Sequence, residues 1–262
     1  MRDIAVAVAL YNNEKEVIKF VENLLKQTLI NRIQLLVTCN ACNNVGEFEK
    51  KIHEILPSAR VFDPKENLGY LNGCLYGVRV TGNVYSWVLV SNTDIDFKQN
   101  DFFEKSIENV PKDVWCIGPD ITLAATGTHQ NPFLLNRPSK KRVLIWKIAY
   151  SNYLLFRLYF KLSELKPKKK QDGDLDSRYV YAVHGSCFLL EQECVRKIIK
   201  NNPKIFMYGE ELLVAETVYN NGKKVYFTSN VGIIHNENQV TGKIGMKRKQ
   251  KWFKESIDYI FM

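Results

Sequence analysis

Apolar and polar positions along the first half of the chain alternate in blocks of two different periods. Ile4 to Leu10 is a continuous apolar run of strand length. After it, Val17, Val21, Leu24 and Leu25 recur at helical spacing, with Asn12 or Asn13 placed to cap the helix. Ile33 to Thr38 predicts a second strand, roughly Val45 to Leu56 a helix, Arg60 to Phe62 a short third strand, and Leu71 to Val80 another helix. Ser86 to Val90 predicts a fourth strand, ending in the polar cluster Ser91-Asn92-Thr93-Asp94-Ile95-Asp96. Strands alternating with amphipathic helices mark an α/β fold, Rossmann-like, with an open, mostly parallel sheet flanked by helices. Further on, Trp115 to Gly118, Tyr179 to Val183, Cys187 to Leu190, Val225 to Phe227 and Gly232 to Ile234 read as strands, and Glu191 to Asn201 and Glu210 to Asn221 as helices. No internal repeat is visible. The pattern predicts one domain over 1–262, with halves near 1–120 and 121–242, an inserted basic helical segment near 137–176 and a basic tail at 243–262. Lys166 to Asp176 is charged, holds Pro167 and Gly173, lacks apolar periodicity, and predicts a mobile loop.

Composition limits the function classes. With 45% hydrophobic and 12% aromatic residues there is ample material for a packed core. The net charge of +9 is unevenly spread: residues 137–170 hold eleven basic side chains and one acid, and residues 243–254 hold six basic side chains and none, leaving −7 for the rest. Two local patches on an acidic body argue against a nucleic-acid coat and for a particular anionic surface. The opening apolar run is too short for a signal peptide and lacks a small-residue cleavage site. Val143 to Leu162 is interrupted by Lys147, Arg157 and Lys161, so no membrane-spanning helix is expected. Six cysteines are too sparse for a disulfide scaffold. Cys39-Asn-Ala-Cys42 has C-x-x-C spacing but no second pair at zinc spacing, so buried or loop thiols in a cytoplasmic protein are the expectation.

Three clusters could carry chemistry. Asp94 and Asp96 follow a buried strand, where open α/β sheets bind ligands; carboxylates at i and i+2 of an extended segment can share one hard cation and bridge it to a diphosphate. The same pair also suits a turn with solvated acids. Phe206-Met207-Tyr208-Gly209-Glu210-Glu211 places two acids where a helix opens, which serves the helix dipole or leaves one acid facing a cleft as a general base. His235 closes the Gly232-Ile-Ile-His strand, either as a satisfied core histidine or as a metal ligand.

Together these pieces resemble the inverting family 2 glycosyltransferases of the GT-A fold, in particular the bacterial rhamnosyltransferase-like group that builds surface polysaccharides such as O-antigen or capsule. The resemblance rests on Val8-Ala9-Leu10-Tyr11-Asn12, on Glu66-Asn67-Leu68-Gly69-Tyr70-Leu71-Asn72-Gly73, and on Asn92-Thr93-Asp94, similar to an Asn-Pro-Asp form of the D-x-D element. It continues through His184-Gly185-Ser186-Cys187 and Met207-Tyr208-Gly209-Glu210-Glu211, similar to an acceptor strand and a Gly-Glu-Asp base motif, and ends at Ile233-Ile234-His235. It implies that Tyr11, Asn12, Asn40, Asn67, Gly69, Asn92 and Asp94 bind a nucleotide-diphosphate-sugar donor. It also implies that Asp94, with Asp96 and His235, holds Mg2+ or Mn2+; that Glu211, with Glu210 as rival, is the catalytic base; and that His184, Gly185 and Tyr208 meet the acceptor. Three departures stand out: Cys39 occupies the position of a family aspartate, Glu211 that of a shorter aspartate, and Tyr70, Leu71 and Asn72 bring no arginine to the loop.

A lipid-linked glycan acceptor, also implied by the resemblance, would suit the basic segments. Trp146, Tyr150, Tyr153, Phe156, Tyr159 and Phe160 lie among Lys140, Lys141, Arg142, Lys147, Arg157, Lys161 and Lys168-Lys169-Lys170, a mixture expected of rings and snorkelling cations in the headgroup layer of an anionic membrane, peripherally on its inner face. The same residues also fit a helix or helical pair packed on the domain with a solvated basic face. Met246 to Phe253 fits contact with a membrane or a pyrophosphate-linked acceptor and fits a solvated tail helix equally. The rival readings are a non-catalytic nucleic-acid- or glycan-binding protein and a nucleotidyltransferase. The latter needs a basic, glycine-rich phosphate loop after the first strand, which Tyr11-Asn12-Asn13-Glu14 is not.

Overall fold

The computed structural model describes residues 2–165, 176–236 and 245–262. Almost all of the loop expected at Lys166–Asp176, including Lys168-Lys169-Lys170, lies outside them. In chain order the elements begin with β1 (Ile4–Leu10), α1 (Glu14–Leu24), β2 (Ile33–Cys39), α2 (Val45–Ile55), β3 (Arg60–Phe62), α3 (Tyr70–Thr81), β4 (Trp87–Ser91), β5 (Ile95–Phe97), α4 (Phe102–Ile107) and β6 (Val114–Leu123). The second half holds α5 (Lys140–Ser151), α6 (Tyr153–Glu164), β7 (Arg178–Val180), β8 (Cys187–Glu191), α7 (Gln192–Asn201), α8 (Glu210–Asn220), β9 (Lys224–His235) and α9 (Met246–Ile260).

One sheet runs in the order β3-β2-β1-β4-β8-β6-β9-β5, with β7 also on β9. β3, β2, β1 and β4 are parallel neighbours, as the alternating pattern predicts. β8 enters antiparallel between β4 and β6, β9 lies parallel to β6, and β5 and β7 run antiparallel along β9. Helices cover both faces, which is why β1 is apolar throughout. Its Ile4, Val6, Val8 and Leu10 enter the core shared with Val17, Phe20, Val21 and Leu24 of α1, whereas Ala5 and Ala7 face the side where α3 packs. Small residues are needed there: a Cβ on Gly77 of α3 would lie 2.7 Å from the Phe62 ring.

Several elements depart from the sequence expectation. Asn13 occupies the N-cap of α1 without capping it; its side chain accepts from Tyr11 N at 2.7 Å and donates to Thr93 Oγ1 at 2.8 Å, tying the end of β1 to the Asp94 segment. The two expected strands at 225–227 and 232–234 are one, β9, whose pairing with β6 shifts between Thr228 and Gly232. The helical segment is a pair, α5 and α6, set on α9 around a third apolar cluster with Trp146, Tyr150, Phe156 and Ile257. Their rings turn inward, not towards solvent as a headgroup layer would require. Among the described residues no helix is long and apolar enough to cross a membrane.

Candidate active site

β4 and β8 run side by side so that Ser91 stands opposite Cys187. Just beyond this pair, Asn92 N donates to Ser186 O at 2.8 Å, which sets the 184–186 turn against the Asn92–Asp94 segment. Asp94 in turn sits beside the end of β9: its carbonyl accepts from Asn236 N at 2.8 Å, and Ile95 pairs with His235. The imidazole of His235 is 4% exposed. Its Nδ1 donates to Gln130 Oε1 at 2.8 Å, which turns Nε2 towards Asp94. That Nε2 lies 3.4 Å from Asp94 Oδ1, and Asn92 Nδ2 approaches it weakly, also at 3.4 Å. Adjacent ligands of Mg2+ or Mn2+ at about 2.1 Å and right angles stand about 3 Å apart. The Asp94 carboxylate and the His235 imidazole at this separation therefore could take two neighbouring positions around such an ion.

Asp96 is differently employed. Its Oδ2 lies 3.1 Å from Lys19 Nζ and accepts from Asn236 Nδ2 at 2.9 Å. These donors outweigh partial burial and lower its carboxyl below the ordinary range. Among the described residues no group of three or more His, Cys, Asp or Glu side chains gathers as a metal site. Asp94 and His235 thus stand together as two candidate donors, with Asp96 turned to Lys19 and Asn236.

Gly185 is the hinge between these two candidate donors and the second cluster. Its carbonyl accepts from Tyr70 Oη at 2.8 Å and its N–H donates to Glu211 Oε1 at 3.2 Å. A Cβ at Gly185 would lie 2.6 Å from Glu210 Oε1 and 2.8 Å from Glu211 Oε1, so both carboxylates converge on this one residue. Burial raises both above the ordinary glutamate value of 4.5. Glu210 is pushed further by the charge of Glu211, whereas backbone N–H groups of Glu211, Gly185 and Gly209 hold the charge on Glu211. Both carboxyls thus sit above the ordinary glutamate value at the opening turn of α8, Glu210 the further of the two.

His184, next to Gly185, is kept neutral: burial, helped by nearby His235, pushes it down to about 4. Its Nδ1 accepts from Ser186 N at 3.2 Å, leaving the proton on Nε2. Asn131, fully buried, holds the His184 backbone, accepting from its N–H at 2.6 Å and donating to Pro119 O at 2.7 Å. Tyr208, in the left-handed region at φ 65°, stacks on Phe253 of α9 at 4.6 Å, and its carbonyl accepts from Ser256 Oγ. Its hydroxyl is buried without a partner among the described residues. Burial and then Glu210 push it up to about 12.

The remaining expected site residues lie at the strand ends and the loop before α3. Tyr11 and Asn12 are exposed after β1, with Asn12 at φ 55°. Asn40 is 3% exposed; its amide accepts from Leu68 N and donates to Gly69 O at 2.8 Å, so it clamps the 67–69 loop from within. Asn67 closes that loop by accepting from Gly69 N at 2.9 Å. Gly69 is at φ 79°, and a Cβ there would lie 1.9 Å from Phe206 O, so only glycine lets the loop pass under the segment leading to Glu210. Beside this loop, a cleft of about 450 Å3 opens at the ends of β2 and β3, lined by Ala41, Cys42, Asn43, Gly46, Asp63 and Lys65 among others. All six cysteines are free thiols.

Sequence reasoning passed over Gln130, Asn131 and Asp63, and gave Tyr70 no role beyond bringing no arginine to its loop. Asp63 had a signal, as an acid directly after a strand; Gln130 and Asn131 had none, because only the turn after β6, with Leu123 N donating to Thr128 O and Gln130 N to Ile121 O, folds them back beside it.

No protein-family model matches the chain, and no curated protein matches it in sequence. Among solved structures it is similar to a mannosyltransferase from Pyrobaculum calidifontis in complex with GDP-Man and Mn2+, at TM-score 0.58 and 11% identity over 91% of this chain. It is also similar to GalNAc-T7 with UDP, GalNAc and Mn2+, at TM-score 0.61 and 13% identity over 98% of this chain. The matched part is 58% of the first protein and 50% of the second, so the chain spans about half the length of each. At this identity the likeness speaks for architecture, and with the sheet order above it gives the chain the GT-A type of α/β fold found in both glycosyltransferases.

Proposed function

We propose that the chain is an inverting glycosyltransferase that moves a hexosyl or rhamnosyl group from a nucleotide-diphosphate-sugar to a glycan acceptor, lipid-linked, in cell-surface polysaccharide synthesis at the inner face of the membrane. One observation carries this reading: Asp94 and His235, 3.4 Å apart, are joined to a carboxylate pair, Glu210 and Glu211, by the short run Asn92–Ser186–Gly185. The two similar structures, both with Mn2+ and a nucleotide, lend it support. A bound Mg2+ or Mn2+ would offset charge on the departing nucleoside diphosphate. Asp94 and His235 would hold it, and Asp96 would steady Asn236 behind them. Tyr11, Asn12 and the 67–69 loop would border the nucleotide, with Asn40 as the loop's internal clamp. Asp63 would give the cleft the carboxylate that Cys39 does not. Glu211 would take the acceptor hydroxyl's proton as that oxygen bonds to the anomeric carbon and the bond to the diphosphate oxygen breaks. Glu210, its carboxyl raised by burial and by the charge of Glu211, would stand beside it; His184 and Tyr208 would border the acceptor.

Glu211→Gln tests the assignment. General-base help is worth ~10² to 10⁴ in rate, so the variant should lose at least about 10² in kcat with an unchanged unfolding midpoint. In the wild type the acid limb of the kcat profile should lie above pH 4.5, since burial raises the carboxyl and the base acts only when deprotonated. Wild-type turnover by Glu211→Gln would remove Glu211 from the chemistry.

A further inference from the structure

The two inserted helices are amphipathic in an unusual sense. Their aromatic side chains build the cluster with α9, while a second apolar stripe faces outward. On α6, Leu154, Leu158 and Leu162 recur at i, i+4 and i+8 and are 70%, 53% and 52% exposed; on α5, Leu144 and Ile148 repeat the spacing at 58% and 54%. Of the nineteen large apolar residues exposed among the described residues, eight lie within residues 140–165. Scattered apolar residues on a surface need no explanation, but a concentration of this kind does.

We infer that this outer face of α5 and α6 docks on an anionic lipid bilayer by its leucine and isoleucine side chains, with the neighbouring cations at the headgroups. The inference deepens the membrane part of the proposed function and does not depend on glycosyl transfer. Charge selects the occupant. Lys140, Lys141, Arg142, Arg157 and Lys161 are exposed around the stripes, and residues 137–163 contain no acid. A second copy of the chain would set two basic faces against each other. An anionic bilayer instead takes the cations at its phosphates and the aliphatic groups just beneath, the two signals that stable peripheral binding needs. Each helix has 12 residues, about 18 Å, too short to cross the hydrocarbon and suited to lying in its surface.

The docked pair would also hold the candidate site. Phe253 of α9 packs against Tyr150 at 5.4 Å, Phe156 at 5.7 Å and Phe160 at 5.9 Å, and stacks on Tyr208 at 4.6 Å. One ring thus separates the membrane-facing helices from the loop that leads into Glu210 and Glu211.

Co-sedimentation of the full chain with phosphatidylcholine vesicles, with and without phosphatidylglycerol, tests this with neither donor nor metal present. The wild type should bind the anionic vesicles only. The combined Leu154→Ser, Leu158→Ser and Leu162→Ser variant keeps every charge and should bind about tenfold less or weaker still, with an unchanged unfolding midpoint. Failure of the wild type to bind, equal binding by the triple variant, or a wild-type dimer in ultracentrifugation that the triple variant dissolves would each overturn the inference. None of these outcomes bears on glycosyl transfer, and an inactive enzyme that still binds vesicles would leave the docking surface standing.

Discussion

Replacing Gly185 with alanine tests the convergence of the two carboxylates with a single methyl group. The new Cβ would stand 2.6 Å from Glu210 Oε1, 2.8 Å from Glu211 Oε1 and 2.9 Å from Glu210 Cγ. Backbone strain does not enter, because Gly185 is not among the residues at positive φ. The closest clashes fall on the ends of two side chains that can swing aside, so the stability cost belongs at the low end of overpacking, about 1 kcal/mol. For a chain of this size that is a fall of about 2 to 4 °C in the unfolding midpoint. The chemistry has less room. Displacing a catalytic group by about 1 Å costs ~10²-fold in rate, and this substitution moves both candidates for the base together. Steady-state release of nucleoside diphosphate, measured beside thermal unfolding, should show kcat down about 10²-fold in a folded protein. A Gly185→Ala variant with wild-type kcat would refute the convergence as a catalytic arrangement. Loss of the fold would refute the claim that the clash is absorbed by side chains.

Two further substitutions separate framework from chemistry. At Gly69 the obstacle is backbone, with Phe206 O 1.9 Å from a would-be Cβ and φ at 79°, so Gly69→Ala should cost more than about 3 kcal/mol; a midpoint within a few degrees of wild type would show that the loop does not pass there. His184 sets an acid limit on stability. Its folded value of about 4 lies below the ordinary 6.5, so the unfolded chain takes up the proton first as pH falls. The stability is whole above pH 6.5 and declines towards pH 4, by about 3 kcal/mol for this group. Urea unfolding of wild type and His184→Gln across that window should give a shallower pH slope for the variant, and equal slopes would contradict the assignment.

In the parallel half of the sheet β1, β2 and β4 were legible because they are buried apolar runs and the helices between them are apolar on one face, so period and length distinguish them. β5 was not, because Ile95–Phe97 overlaps the polar cluster that ends at Asp96, and α4, at six residues, is too short to show a helical period. β9 read as two strands because Thr228, Ser229 and Asn230 interrupt its apolar run; the shifted pairing with β6 that accommodates them is a property of the neighbour. In α5 and α6 the aromatic content was plain, but an aromatic and an aliphatic stripe share each helix, and only the packing of α9 decides which turns inward. At the candidate site the acids and His235 were legible as residue types at strand and helix ends. What joins them was not: Gln130 turning His235, Gly185 receiving both carboxylates, and Asn40 spent on the loop all depend on contacts distant in sequence.

Metal-dependent nucleotide binding tests the central claim most directly. Calorimetric titration of the wild type with a panel of nucleoside diphosphates should give binding of at least one of them in the presence of Mn2+ or Mg2+. Binding should vanish with EDTA and weaken at least tenfold in Asp94→Asn, whose neutral amide is a poor ligand for a hard cation. Binding of none with either metal, or binding indifferent to both EDTA and Asp94→Asn, would contradict the account.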